Sequence, residues 1–299
     1  MRRATTDVLY FETGPANLPT LRVRPGETFQ VQTQLNRGPW LDTHPDGPRL
    51  RALLRGGNPS SGCIFVEGAE PGMVLDVHVG PIALDPLGFT RFSGGNGAMP
   101  AWLGGSGLGP QHRIVEIRDG QILWGEGRAL PVAPMLGFVG TSPSHETQGN
   151  VWAGPHGGNL DVQELTAGAR LTLPVNVPGG LLHVGDMHAR QGDGEICGAG
   201  GIEASGVVEL RCELAPRPEG FSWPRIEDAS HKMIAAQGRP AEDAFRAALE
   251  ALILWMEADG MPRADAYLWL GQVLEARCTQ FVNPTFTYLV KVRREHWPT

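Results

Sequence analysis

The sequence predicts a mainly β protein: a sandwich- or barrel-like body followed by a C-terminal α+β portion. Two observations carry this. Through the first two-thirds of the chain, short runs alternate apolar and polar residues between abundant turn residues, with 41 glycines and 25 prolines in 299 residues. Such alternation is the period of a half-buried strand. Near residue 225 the pattern changes to longer amphipathic stretches. No ~30-residue βαβ repeat is present, which disfavours a doubly wound fold. The expected division is a β-rich domain over residues 1–224 and an α+β portion over 225–299 packed on it.

The candidate strands, in order, are LRVRP near Leu21, TFQVQTQL from Thr28, GCIFVEG from Gly62, MVLDVHVGPI from Met73, HRIVEI from His112, RLTLPVNV from Arg170 and VVELRCEL from Val207. Turn signals such as EPG and RDGQ separate them. The Gly-rich stretch Gly94–Pro110 reads as a long connection. From Pro240 to Ala258 one broad face holds Ala244, Phe245, Ala248, Leu249, Leu252, Trp255 and Met256, which predicts a helix. Pro240 suits its first turn and Gly260 its C-terminal cap. A second helix is expected from Pro262 to about Glu275. Closing strands are expected at Thr279–Val282 and Thr285–Val292.

Composition narrows the function classes. A net charge of -7 argues against nucleic acid as partner. No apolar run reaches the ~18–20 residues of a membrane span. The opening MRRATTDVLYF lacks an apolar signal core, so a cytoplasmic protein is expected. Cys63, Cys197, Cys212 and Cys278 form no CxxC pair and read as reduced thiols. Lys232 and Lys291 are the only lysines and neither lies in a Gly-rich segment, which counts against lysine-dependent amidase chemistry. A GxSxG elbow, a GxxxxGK[ST] loop and an HExxH helix are all missing.

Chemistry concentrates in VGDMHARQGDGE, Val184 to Glu195. It is too polar and Gly-rich for a core element and follows apolar runs, so it is expected at the end of a strand, where loops carry function. Upstream lies GPHGGNLD, Gly154 to Asp161. A histidine among carboxylates suits a divalent metal or an acid–base pair. The site is therefore built from both loops, with Asp161, His188 and Asp186 as metal ligands and Glu195 as the general base. The opposite assignment, Glu195 as ligand and Asp186 behind His188, stays open. Glycines such as Gly158 let backbone approach a small substrate, which Asn159 and Asp193 would also contact. One of Glu67 and Glu70 is expected to reach the site, with Glu70 taken as a second catalytic carboxylate, although EPG also reads as a plain turn. Glu203 would support the loop. His156 and His183 are ligands by type only.

Together with VEGAEPGMVLDV (Val66 to Val77), PMLGFVGTSP (Pro134 to Pro143) and the tail pieces DAYLWL and TQFVNP, these motifs resemble the acetamidase/formamidase family from about residue 60 onward. GDMHARQGDGEICGAGGIE, Gly185 to Glu203, carries the most specific part. The resemblance implies hydrolysis of a short linear amide to ammonia and a carboxylate, and a homodimer. A divalent metal would polarise the amide carbonyl; the donor types suit zinc, and manganese, calcium or iron would also fit. Three departures stand out: the family's opening His-and-Trp segment is DVLYFETGP here, its His-Pro pair is Asn58-Pro59, and Met73 follows EPG in place of aspartate. A different small amide or a carbamate is thus a second possibility for the substrate. Rival classes are a non-catalytic β-sandwich that binds a small molecule or metal, and a metal-stabilised interaction module.

Overall fold

The computed structural model describes residues 1–93 and 97–298. The strands that organise the site are β1 (Leu21–Val23), β2 (Thr28–Thr33), β3 (Ser60–Val66), β4 (Met73–Phe92), β5 (Gln111–Arg118), β6 (Met135–Gly140), β7 (Gly157–Asn159), β8 (Arg170–Pro174), β9 (Leu182–Arg190), β10 (Ile202–Pro216), β11 (Arg225–Glu227), β12 (His231–Gly238), β13 (Glu275–Gln280) and β14 (Phe286–Arg293). The helices are α1 (Gly47–Leu53), α2 (Pro100–Gly105), α3 (Ala241–Ala258) and α4 (Arg263–Val273). Among the described residues, 19 strands join one curled sheet.

The two longest strands form its spine. β4 and β10 pair antiparallel from Phe89↔Glu203 to Met73↔Pro216, with two register shifts. β10 also pairs with β2, and β4 with β5 and β8. The alternation in LDVHV and ELRCEL is the cause: Leu75, Val77, Leu210 and Cys212 all point into one apolar core, which Phe29, Leu136, Leu171 and Leu182 complete. β11 bridges β8 and β12, and β12 continues through β14 to β13.

Each expected strand has a counterpart, but the bounds shift: the closing strand expected at Thr279–Val282 is β13, Glu275–Gln280, which ends before Phe281. The run from Met73 continues to Phe92, well beyond its apolar–polar part, because β10 and β5 pair with it on both sides. β6 and β9 do not alternate at all. Every residue of β6 is buried, and so are all but the last of β9. Within Gly94–Pro110, residues 94–96 lie outside the described residues. The expected connection contains the short helix α2.

Helix α3 buries Ala244, Ala248, Ala251, Leu252, Trp255 and Met256, with Phe245 and Leu249 packed at the margin. Pro240 stands one position before the helix rather than in its first turn. Gly260, at φ +106°, takes the left-handed turn that ends it. Ala248, Ala251, Leu252, Trp255 and Met256, with Leu270 of α4 and Ile234, Val290 and Val292 of the sheet, make a second apolar cluster.

Candidate active site

The segment Gly185–His188 is the interior of a strand, not a loop after one, which corrects the sequence expectation. β9 changes partners in this stretch. Gly185 pairs with Ser60 of β3, whereas Met187 pairs with Ala204 of β10. On the other side, β6 pairs Leu136 with Met187 and Phe138 with Gly185. Asp186 falls between these registers. Its backbone is left-handed, at φ +51°. The ladder is interrupted there, and the interruption turns the carboxylate into a cavity.

Three ligand-type atoms meet at the interruption. Asp161, Asp186 and His188 each offer one, and all lie within 4.8 Å of one another. Asp161 is 1% exposed, Asp186 5% and His188 1%. Asp161 follows β7 in a left-handed conformation (φ +49°) fixed by its N–H donating to Gly137 O at 3.1 Å. Its Oδ2 accepts from Asn283 Nδ2 at 2.7 Å. Asp186 Oδ1 accepts from Asn36 Nδ2 at 2.8 Å and stands 3.5 Å from His188 Nε2. That separation is too long for a well-formed hydrogen bond. Asp161 Oδ1 and both ring nitrogens of His188 have no hydrogen-bond partner among the described residues. Buried polar atoms left unpaired are costly. Oxygen and imidazole donors aimed at one point are what a divalent cation such as zinc accepts, and three protein ligands leave a position open. The donor set fits a metal.

Two glycines make the cluster possible. A Cβ on Gly137 would sit 2.8 Å from Asp161 Oδ1 and 2.8 Å from Asp186 Oδ2. A Cβ on Gly200 would sit 2.3 Å from His188 Nε2.

Glu195 lies in a tight turn, Asp193–Glu195, with φ +48° of its own. Oε1 accepts from Gly200 N at 3.0 Å, while Oε2 is unpartnered among the described residues. Glu203, on β10 opposite His188, accepts from Asn36 Nδ2 at 3.2 Å. Asp186, Glu195 and Glu203 line one cavity of about 450 Å³ with Asn36, Asn58 and Asn159. Asn58 Nδ2 donates to Asn159 Oδ1 at 2.9 Å.

Burial and crowding set the charges. Burial, then Glu195 and Asp186, push the Asp161 carboxyl well above the ordinary carboxylate range. Burial, with Asp186 and Glu203 adding repulsion, raises Glu195 to about 8. Burial and Asp186 raise Glu203 to about 7. Burial pulls His188 down, but Asp186, Glu203 and Asp161 outweigh it and raise it to about 10. Carboxyls packed this closely cannot all ionise without a compensating cation.

Other expected residues lie elsewhere. Glu70 is exposed in the turn before β4, where its carbonyl accepts from Met73 N at 3.1 Å. Glu67 faces Arg24 at 3.5 Å. Both are absent from the cavity lining, so neither is brought to the acidic cluster, and EPG forms the turn before β4. Asp193 points to solvent, accepting from Arg277 Nε at 2.9 Å and Gln163 Nε2 at 3.2 Å; it ties β13 to the site loop rather than contacting the cavity. Gly158 is buried at φ +99°, and a side chain there would meet Trp152 O at 2.6 Å, so it serves backbone packing. His156 and His183 stand outside the cavity lining. Burial holds them down at about 4 and about 3, and His183 Nδ1 shares a 3.0 Å hydrogen bond with Ser60 Oγ. Burial also pushes the thiols of Cys63, Cys212 and Cys278 up to about 12, which leaves them inert.

Sequence reasoning missed Asn36 and Asn283 as carboxylate donors. Asn283 had a signal, since it lies in TQFVNP; Asn36 had none.

Comparison with known proteins agrees with this architecture. The profile of the Acetamidase/Formamidase family matches residues 150–291, which hold Asp161, Asp186, His188, Glu195 and Glu203. A formamidase of Methylophilus methylotrophus is 48% identical over 59 residues, which span 20% of this chain and only 14% of that relative. An acetamidase structure from Bacillus halodurans superposes with a TM-score of 0.87 at 26% identity, covering 98% of both chains. Another, from Yersinia enterocolitica, gives a TM-score of 0.87 at 31% identity over 98% of this chain and 92% of that one. With fold and full-length similarity in agreement, the chain belongs to the acetamidase/formamidase family.

Proposed function

We propose that this protein is a metal-dependent hydrolase that converts short linear amides to a carboxylate and ammonia. The observation that carries the reading is the buried Asp161–Asp186–His188 trio, with unpartnered ligand atoms, beside the unpartnered Glu195 Oε2. A divalent cation held by the three, zinc by donor type, supplies Lewis acidity toward an amide carbonyl. Glu195, which lines the cavity and has Oε2 unpartnered among the described residues, is placed to take a proton from water, once the cation's charge favours its ionised form, and return it to the leaving nitrogen. Asn36 and Asn283 hold the two aspartates in orientation by donating to the oxygens not left free. Asn159 and the neighbouring Asn58 offer amide groups to the substrate.

The test is elemental analysis of untagged protein together with ammonia release from a panel of short amides, before and after chelation. Near-stoichiometric zinc and chelator-sensitive ammonia release are expected. Full activity in metal-free protein would overturn the ligand assignment, and bound metal without turnover of any amide or carbamate would favour a binding protein.

The same reading includes a homodimer in the cytoplasm. Tyr267 and Leu268 of α4 are 63% and 69% exposed, beside an apolar groove lined by Leu249, Ile253 and Leu254 of α3. An apolar face of that kind suits a second copy of the chain. Sedimentation at twice the chain mass is expected, and a monomer would refute it. The unpaired cysteines suit a reducing compartment.

A further inference from the structure

The cavity that holds the acidic cluster has a basic rim. Arg37, Arg55 and Arg91 line it together with Asp186, Glu195 and Glu203. Among the described residues none of the three arginines has a carboxylate within ion-pair distance, whereas nearby Arg51 is paired with Asp42. Arg91 lies near enough to Glu203 to favour its charged form, which leaves Arg37 and Arg55 without a carboxylate partner among the described residues, in a chain of 32 acidic against 25 basic residues. Arg37 and Arg91 also face a second cavity of about 440 Å³, lined by Arg51 and His112. That cavity also holds Asp42, paired with Arg51, so Arg37 and Arg91 are the guanidinium groups there without an ion-pair partner among the described residues, and they stand between the acidic inner chamber and this outer one.

Size points the same way. The inner chamber of about 450 Å³ has room for roughly 15 water-sized volumes. Formamide or acetamide would occupy only a small part of it. Three exposed guanidinium groups on the rim match a group that is anionic, planar and several bonds from the reacting carbon. The carboxylates deeper in would repel that group, so the two charge layers also set its direction.

Resting on the amide-hydrolase reading above, we infer that the substrate is a short amide bearing a carboxylate, a monoamide of a small dicarboxylic acid, with its amide at the Asp161–Asp186–His188 trio and its carboxylate at Arg37 and Arg91. Water adds to the amide carbon, the C–N bond breaks, the nitrogen leaves as ammonia carrying the transferred proton, and the product is a dicarboxylate.

The experiment uses the metal-loaded protein. Ammonia release is measured on malonamate, succinamate and glutaramate, on 4-methylpentanamide (an isopropyl group in place of succinamate's carboxylate) and on acetamide. Binding of succinate is measured in parallel by calorimetry. The best carboxylated amide is expected to exceed the neutral isostere in kcat/KM by roughly 10- to 100-fold, the range of a charge-assisted contact. In the double variant Arg37→Gln/Arg91→Gln that ratio should fall at least tenfold, through KM, and succinate binding should weaken to match. Arg37→Lys/Arg91→Lys should recover part of both. If the arginines only offset the buried carboxylates, neutral and anionic amides lose activity alike. An unchanged ratio overturns this inference and leaves the amidase reading standing. Ammonia release from none of the amides overturns both.

Discussion

Helix α3 presents Ala248, Leu252, Trp255 and Met256 to an apolar cluster, whereas strand β9 buries His183, Asp186 and His188 as completely. The helix is buried because its surface is apolar. The strand is buried because β3, β6 and β10 enclose it, and the ionisable side chains are held there at a cost met by packing elsewhere. Burial in one region reports stability, and in the other it reports chemistry. The two should therefore respond oppositely to substitution.

The sharpest way to break the contrast is at the cluster. Asp161→Asn keeps shape and removes a ligand charge, so bound metal should be lost and ammonia release should fall by about 10³-fold or more, with little change in denaturation midpoint. Wild-type metal content in this variant would remove Asp161 from the site. Next comes Glu195→Gln, which should keep metal and fold but lower kcat by roughly 10²- to 10⁴-fold, the range of a lost proton shuttle. Retained turnover would pass the base role to Glu203.

On the helix side, Leu252→Ala should destabilise by about 2–5 kcal/mol, the range for a fully buried leucine, while the surviving folded protein keeps its specific activity. A matching loss of activity per folded molecule would mean that α3 is coupled to the site after all.

The smallest effect is pH dependence. Folded His183 and His156 titrate near 3 and 4, against 6.5 when unfolded, with burial as the cause. The unfolded chain therefore binds more protons between pH 6.5 and about 4. The stability these residues give is complete above 6.5 and declines as the pH falls through that window. Urea midpoints at pH 7.5 and 5 should show the drop, and His183→Gln should reduce it. Identical pH slopes in both proteins would locate acid sensitivity elsewhere.

The same contrast explains what was legible in the sequence. The periodicity of α3 was legible because every buried position is apolar, and LDVHV and ELRCEL were legible because their alternation matches the pleat. β9 was not, since a run holding Asp186 and His188 scores as a loop by polarity, and only the enclosing strands make it a core element. The trio Asp161, Asp186 and His188 could be picked out by residue type and motif. Glu70 and Asp193 look equally suited by type, yet they face solvent and Arg277, because a carboxylate's direction depends on partners distant in sequence. Asn283 lies within TQFVNP, but Asn36 and the rim arginines come from the other end of the chain and leave no local pattern.

Asp161, Asp186 and Glu195 share one more property: each holds a left-handed backbone, at φ +49°, +51° and +48°. For a residue with a Cβ this costs about 1 kcal/mol or more, and glycine would escape it. At these three positions a library screened for heat resistance alone should enrich glycine and discard the ammonia-releasing protein, so thermal selection and catalytic selection would pull the same codons in opposite directions.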